Sequence, residues 1–167
     1  MTQIFPISRR RMAASAVACA AILSFASAAR ADNPIGVATS LYRDFAWEVV
    51  FAVPTQPSFI DQPRAVLDRY LTPELAAAIH ADRACAARTH AICRLDFDPL
   101  WDSQDPSASG LRLTPGPELS RVDVSFNVPD GRRTVIQLHL RQTRAGWRID
   151  DFVGHEGRSL KAVLRGR

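Results

Sequence analysis

The sequence predicts a single α+β domain in which N-terminal helices pack on a curved antiparallel sheet. Apolar residues recur at helical spacing in the first half of the chain and alternate with polar residues after Ser120. In addition, an alanine-rich segment led by arginines, residues 1–31, places an export signal ahead of the domain. Helices followed by a run of strands are typical of the α+β class, so residues 32–167 are predicted to form one domain.

The export signal begins with the charged run Arg9–Arg11, continues through the apolar stretch 12–29 and ends in small residues around Ala31. Cleavage after Ala31 leaves 167 − 31 = 136 residues. The stretch 8–12 resembles a twin-arginine signal, and the general secretory route is the alternative. A membrane span needs about 20 strongly apolar residues, which this segment lacks. We therefore expect a periplasmic or secreted protein without a transmembrane segment.

The charge of the chain argues against one class of partner. The whole chain carries 21 Lys and Arg against 17 Asp and Glu. Residues 1–31 hold four of the arginines and no acid, so the mature chain has 21 − 4 = 17 bases against 17 acids. Nucleic-acid binding relies on clustered positive charge, and we expect no nucleic-acid partner.

The cysteines agree with export. Cys19 lies within the signal, and the mature chain keeps Cys85 and Cys93. An even number of cysteines in an oxidising compartment predicts a disulfide between them. The rival interpretations are a metal pair, which lacks partner ligands at matching spacing, and a redox pair, which lacks a CxxC motif. No metal and no cofactor is predicted.

Three helices are predicted, over residues 34–50, 64–71 and 73–88. The first carries one apolar stripe at i, i+4 spacing: Val37, Leu41, Phe45 and Val49. The third begins with Thr72 as N-cap, Pro73 at the first helical position and Glu74 in the first turn. These three residue types favour a helix start.

Alternation of apolar and polar residues predicts strands over residues 122–128 and 135–140 and a third from Trp147, with an edge strand near residues 111–113. A short closing helix follows, with Ser159 as its cap. The three main strands make an antiparallel meander. So few strands cannot bury both faces of the sheet, so the far face meets solvent or a second copy of the chain, and a homodimer through that face is one alternative.

Three stretches carry a resemblance to a known family: Leu41-Tyr42; Leu95-Asp96-Phe97-Asp98-Pro99-Leu100 with Gln104-Asp105; and Gly146-Trp147-Arg148-Ile149-Asp150-Asp151 with Ser159-Leu160. Over nearly all of residues 35–165 the chain resembles the exported bacterial family catalogued as Domain of Unknown Function 3828. The resemblance implies the cone-like α+β fold of the nuclear transport factor 2-like superfamily and an envelope location. It implies no activity, because the superfamily includes enzymes and pure binding modules.

The acid pair Asp150-Asp151 is interpreted as structural. Successive residues of a strand face opposite sides of the sheet, so the two carboxylates are not expected to form a dyad. Asp150 is expected to pair with a nearby arginine, and Asp151 to end the strand or cap the next turn. His155 and Glu156 fall in a glycine-flanked loop, a weak place for a positioned acid or base.

Four aspartates lie close together in the central loop of the chain. They are Asp96, Asp98, Asp102 and Asp105, with Trp101 and Gln104 between them. Three interpretations stay open: a loop whose acids bond its own backbone, a Ca²⁺ site, and a lining for the mouth of the cone. The spacing is not that of an EF-hand, because it lacks the central glycine and the terminal glutamate.

Weak catalytic candidates are Asp98, Asp105, Tyr42 and His139, and the binding candidates are Asp98, Trp101 and Asp105. Familiar motifs for a nucleophilic serine, a zinc hydrolase or a phosphate-cradling loop do not occur in the sequence. The leading hypothesis is a non-enzymatic module that binds a small ligand or an envelope protein. The alternatives are a small isomerase, dehydratase or hydrolase using a buried Asp, and an inhibitor or immunity-type partner of an envelope enzyme.

Overall fold

The computed structural model describes residues 33–50 and 56–166. The predicted export signal, residues 1–31, lies outside the described residues. The α-helices are α1 (Pro34–Phe45), α2 (Arg64–Leu67), α3 (Pro73–Thr89) and α4 (Leu160–Arg165). The strands are β1 (Ser109–Pro115), β2 (Arg121–Asn127), β3 (Arg133–Thr143) and β4 (Gly146–Val153). Three short 3-10 helices cover Ala46–Val49, Phe59–Asp61 and His155–Gly157. Helices with a four-stranded antiparallel sheet confirm the predicted α+β class.

The four strands form one antiparallel sheet in the order β1-β2-β3-β4, which confirms the predicted meander and its edge strand. Its inner face buries alternate residues of β2 and β3: Val122, Val124, Phe126, Ile136, Leu138 and Leu140. The residues between them point to the far face, because successive side chains of a strand alternate. On β3 that face carries Gln137, His139 and Arg141. Homodimerisation through this polar face stays a prediction.

Side-chain caps begin three of the helices. The Asn33 side chain accepts a hydrogen bond from the backbone N–H of Gly36 at 2.8 Å and begins α1. Thr72 Oγ1 accepts from the Leu75 N–H at 3.4 Å, so the predicted start of α3 is confirmed. Ser159 likewise caps α4. Such caps satisfy backbone N–H groups that have no partner within the helix.

The second helix is shorter than predicted, because it ends at Leu67 and not at Leu71. After Leu67 the chain continues as a turn, in which the N–H groups of Tyr70 and Leu71 donate to the Leu67 carbonyl at 3.0 and 2.9 Å, and it then joins the sheet. The N–H of Thr72 donates to the Ile149 carbonyl at 2.9 Å, and the N–H of Ile149 donates to the Tyr70 carbonyl at 2.8 Å. These residues form a parallel bridge along the outer edge of β4. The Tyr70 carbonyl therefore bonds β4 and does not continue the helix.

The expected alternation of Asp150 and Asp151 is wrong. β4 carries a β-bulge, because His139 of β3 lies opposite Asp151 while the next residue of β3, Leu140, lies opposite Ile149. Asp150 is the extra residue of the bulge, and a bulge changes the direction of the side chains that follow. Both carboxylates therefore reach α4, where each bonds to Lys161.

Aromatic rings fill the space between the helices and the sheet. Trp101 stands edge-on to Tyr42 and to Phe126, with ring centroids 5.5 and 5.6 Å apart. Phe45 makes the same arrangement with Phe59 at 5.2 Å. Edge-to-face pairs contribute about 0.5–1.5 kcal/mol each beyond the burial of their area. None of the helices in the described ranges is long and apolar enough to cross a membrane.

Cys85 and Cys93 form the predicted disulfide, which joins α3 to the chain that follows it. Replacing both cysteines with serine is expected to lower the free energy of unfolding by about 2–3 kcal/mol, because the bridge restricts the unfolded chain over a short loop. Urea denaturation of the double variant, followed by circular dichroism, measures the difference. A loss of less than about 1 kcal/mol would contradict this expectation.

Candidate functional site

Four polar or aromatic side chains meet between the first helices and the turn before β1. They are Tyr42, Glu48, Asp98 and Trp101, which we call the acid cluster. Tyr42 and Trp101 are almost fully buried, and the Asp98 residue is only 8% exposed. Two carboxyl groups beside two aromatic rings in an apolar interior form an arrangement that shifts protonation equilibria.

A change of helix type turns Glu48 inward. α1 ends at Phe45, and the chain continues as the 3-10 helix Ala46–Val49. Side chains three residues apart lie above one another in a 3-10 helix. Glu48 therefore follows the buried Phe45, whereas continued α-helical spacing predicts Val49 at that place. Val49 is only half-buried.

Both oxygens of Glu48 accept hydrogen bonds. Oε2 accepts from the indole Nε1 of Trp101 at 2.7 Å, and Oε1 accepts from the backbone N–H of Phe59 at 2.6 Å. Phe59 begins the second 3-10 helix, Phe59–Asp61. Glu48 thus ties the end of the first helical segment to the next one across the residues between them.

Asp98 is held by a tight turn. Its Oδ1 accepts from the backbone N–H of Leu100 at 2.8 Å, and its own N–H donates to the Ser103 carbonyl at 2.8 Å. A carboxyl that bonds the backbone two residues further on is a common way to fix a turn. The turn leaves the Asp98 carboxyl close enough to Glu48 for each group to shift the pKa of the other.

Burial raises the pKa of Asp98 well above its usual range, and the neighbouring charge of Glu48 raises it further. Burial also raises the pKa of Glu48, while the hydrogen bond from Trp101 opposes that rise. The interaction between the two carboxyls raises the pKa of Asp98 and lowers that of Glu48, so we expect Asp98 to keep its proton to the higher pH. The two groups titrate as a pair.

Tyr42 closes the cluster from α1. Its hydroxyl donates to the Leu100 carbonyl at 2.9 Å, so it is tied to the turn that holds Asp98. Burial raises the pKa of Tyr42 well above its usual value, with smaller contributions from the charges of Asp98 and Glu48. Every polar side chain of the acid cluster has a hydrogen-bond partner inside the protein.

The structure brings Tyr42, Asp98 and Trp101 together and separates the other two predicted site residues from them. Asp105 is exposed, and its backbone N–H donates to Ser103 Oγ at 3.2 Å. His139 is exposed on the far face of the sheet, opposite Asp151. Neither contributes to the acid cluster.

The remaining acids of the central loop have separate partners. Asp96 is exposed and accepts from Gln104 at 3.3 Å. The Asp102 carboxylate, only 4% exposed, accepts from the backbone N–H of His155 at 2.7 Å and from the Arg158 guanidinium. No group of three or more His, Cys, Asp or Glu side chains among residues 33–50 and 56–166 is placed to hold a metal ion.

Asp150 and Asp151 secure α4. Asp150 accepts from Lys161 Nζ at 2.8 Å and from Thr72 Oγ1 at 3.1 Å, and Arg141 lies 3.4 Å away. Asp151 accepts from the Ser159 hydroxyl and from the Lys161 backbone N–H. Their lone pairs are thus used to hold the closing helix against the sheet.

A surface pocket of about 520 Å³ lies where α3 ends; we call it the Arg83 pocket. It is lined by Asp61, Arg83, Ala86, Ala87, His90, Ala91 and Ile92. His90 ends α3 in the left-handed conformation (φ 53°), which turns the chain back across the helix. The disulfide at Cys93 then ties this wall to α3.

Sequence reasoning missed Glu48 and Arg83. Glu48 lies off the α-helical stripe, and only a switch to 3-10 spacing turns it inward. Arg83 is one of many arginines, and its partner Asp61 is distant in sequence. The one local signal for the pocket was the pair of cysteines, which predicts a fixed loop after α3.

Comparison with known proteins gives no assignment: no protein-family model, curated protein or solved structure matches the chain.

Proposed function

We propose that the protein is an exported, non-enzymatic binding module of the cell envelope that recognises a small ligand at the Arg83 pocket. One observation carries the proposal: an arginine fixed by Asp61 lines an open pocket whose wall is secured by a disulfide. Ligand sites in proteins combine an apolar lining with a few well-placed polar groups, and the volume falls in their usual range of about 300–1,000 Å³.

The closed state of the acid cluster supports a role without catalysis. Both Glu48 oxygens and the Tyr42 hydroxyl are engaged by groups of the protein itself. A general acid or base needs to reach a proton of the substrate within hydrogen-bond distance. In this proposal the acid cluster connects α1, the turn at Asp98 and the core. The ligand is recognised at the Arg83 pocket on the surface.

The test is a screen of neutral, cationic and anionic small molecules by ligand-observed NMR, with binding mapped on backbone amides. Hits that shift the amides of Arg83 and Ile92 and are recovered unchanged support the proposal. An Ile92→Ser variant, altered at an exposed position of the pocket wall, should lose those shifts and keep its fold. Hits that are converted to product, or that map only to the acid cluster, would overturn it.

A second candidate is an isomerase, dehydratase or hydrolase that uses Asp98 as its acid. The observation that favours it is the raised pKa of this buried carboxyl, which is typical of positions tuned for proton transfer. This candidate requires turnover that Asp98→Asn abolishes while the variant stays folded. Conversion that survives Asp98→Asn excludes it.

Export and family membership belong to the same proposal. Export is supported by residues 1–31 and by the Cys85–Cys93 disulfide. Membership of the Domain of Unknown Function 3828 family, with a cone-like fold, is supported by the order of helices and strands. Protein recovered from the periplasm of an expressing bacterium should begin at Asp32. Processing that is unchanged after Arg9→Lys and Arg10→Lys would favour the general secretory route.

A further inference from the structure

We propose that the ligand of the Arg83 pocket is a small monocarboxylate with a short aliphatic chain. This inference rests on the binding function proposed above and names its ligand class. It is carried by the geometry of Arg83, the local balance of charge and the apolar side chains of the pocket.

Asp61 fixes the position of the Arg83 guanidinium by bonding one of its three nitrogens. Arg83 Nε donates to Asp61 Oδ1 at 2.8 Å, and the other oxygen of Asp61 accepts from Ser58 Oγ at 2.9 Å. Within the described residues no other hydrogen bond or ion pair involves Arg83. Its two terminal nitrogens are therefore available at the pocket, in the planar fork that fits both oxygens of a carboxylate.

The local charge favours a monoanion. Arg83 and Asp61 neutralise each other, so the pocket offers strong donors without a large excess of positive charge. A dianionic phosphate would meet the negative charge of Asp61 with only this one arginine lining the pocket. A carboxylate needs only one fork of donors, which Arg83 offers, and it brings less negative charge close to Asp61 than a dianion does.

The other lining residues favour an aliphatic chain beside the carboxylate. Ala86, Ala87 and Ala91 contribute methyl groups, and the Ile92 side chain is 70% exposed at the pocket wall. Covering this apolar surface adds roughly 25 cal/mol per Å² removed from water. Because the disulfide already fixes the wall, ligand binding spends little free energy on ordering it.

The experiment titrates the disulfide-intact protein with hexanoate, hexanol, hexylamine and hexyl phosphate, and follows backbone amide shifts. Hexanoate is expected to shift the amides of Arg83, Ala87 and Ile92 and to bind more tightly than the other three probes. Arg83→Gln should weaken hexanoate about tenfold, because it removes a charge-assisted fork.

Arg88→Gln is the matched control, since Arg88 is exposed on the same helix and does not line the pocket. Its effect on hexanoate binding should be less than about twofold. Arg83→Lys, which keeps the charge and loses the fork, should also weaken binding, and it covers the case in which Arg83→Gln does not fold.

The outcomes separate this inference from the proposed function. Tighter binding of hexanol or hexylamine at the same amides would overturn the carboxylate and leave the binding function in place. Equal loss from Arg83→Gln and Arg88→Gln would also overturn it, because the effect would then be one of net charge. If no molecule of the broader screen shifts the amides of the Arg83 pocket, the proposed binding function itself is overturned.

Discussion

Asp98→Asn is expected to leave the protein folded and to make it more stable than the wild type above neutral pH. The introduced amide can accept from the Leu100 N–H through its oxygen, as Asp98 does, and its nitrogen can donate to Glu48. It cannot ionise in either state, so it removes the cost of keeping a proton in the folded protein that the unfolded chain releases. Asp98→Ala keeps neither bond and should lose about 2–4 kcal/mol.

The pH dependence of stability follows from the raised pKa. Below the unfolded-state pKa of about 4, Asp98 is protonated in both the folded and the unfolded protein. As the pH rises above that value, the unfolded chain releases the proton and the folded protein retains it, so stability falls. The fall continues until the pH reaches the raised pKa of the folded protein. The raised pKa of Glu48 acts in the same direction.

Glu48→Gln is the matched comparison. Both Glu48 oxygens accept from N–H groups, of Trp101 and Phe59, and an amide can replace only one of these acceptors. This variant should lose about 1–3 kcal/mol, although it too removes one ionisable group. Urea unfolding at pH 4 and pH 8 measures all three variants. A stable Glu48→Gln variant together with an unstable Asp98→Asn variant would place the proton on Glu48.

Local signals in the sequence predicted most of the fold. Caps at Thr72 and Ser159, alternation along β2 and β3, and the cysteine pair each depend on residues close together in the chain, and all appear in the structure. Such features arise from hydrogen bonds and periodicities that a short stretch of chain determines by itself.

The candidate site was only partly predictable, because its contacts join distant parts of the chain. The chemistry of their side chains is enough to identify Tyr42, Asp98 and Trp101 as candidates from the sequence. Glu48 is not identifiable in this way, because it reaches them through a switch of helix type and bonds Trp101, which lies 53 residues further on. The bulge at Asp150 is a second example, since it depends on the register of β4 against β3. A single sequence does not reveal such pairings.

Gly154→Ala is expected to be among the most damaging single-methyl changes in the protein. A Cβ at Gly154 would lie 2.6 Å from the carboxyl carbon of Asp102, closer than real contacts allow. Asp102 cannot easily move aside, because its carboxylate holds the His155 N–H and the Arg158 guanidinium. Arg158 in turn stacks on the Phe97 ring, 4.0 Å from its centroid. The expected loss is about 2–4 kcal/mol in the free energy of unfolding.

Gly157→Ala controls for the loss of a glycine in the same loop. Gly157 has a φ of +74°, and nothing lies within 4 Å of a Cβ built there, so its cost is backbone strain of about 1 kcal/mol. Gly154 has an extended backbone (φ −83°) that other residues adopt, so its cost is steric. Thermal and urea unfolding of the two variants should therefore rank Gly154→Ala as clearly the worse.

A double-mutant cycle tests whether the Asp102 carboxylate causes the loss of stability expected for Gly154→Ala. Asp102→Ala alone should lose about 2–3 kcal/mol, because it leaves the His155 N–H without its acceptor and breaks the pair with Arg158. In that background the added methyl of Gly154→Ala meets no carboxylate, so it should cost less than about 1 kcal/mol more. If the losses in unfolding free energy of the two single variants simply add, the added methyl clashes with something other than Asp102. Coupling of the expected sign would show that this buried carboxylate holds the chain after β4 in place.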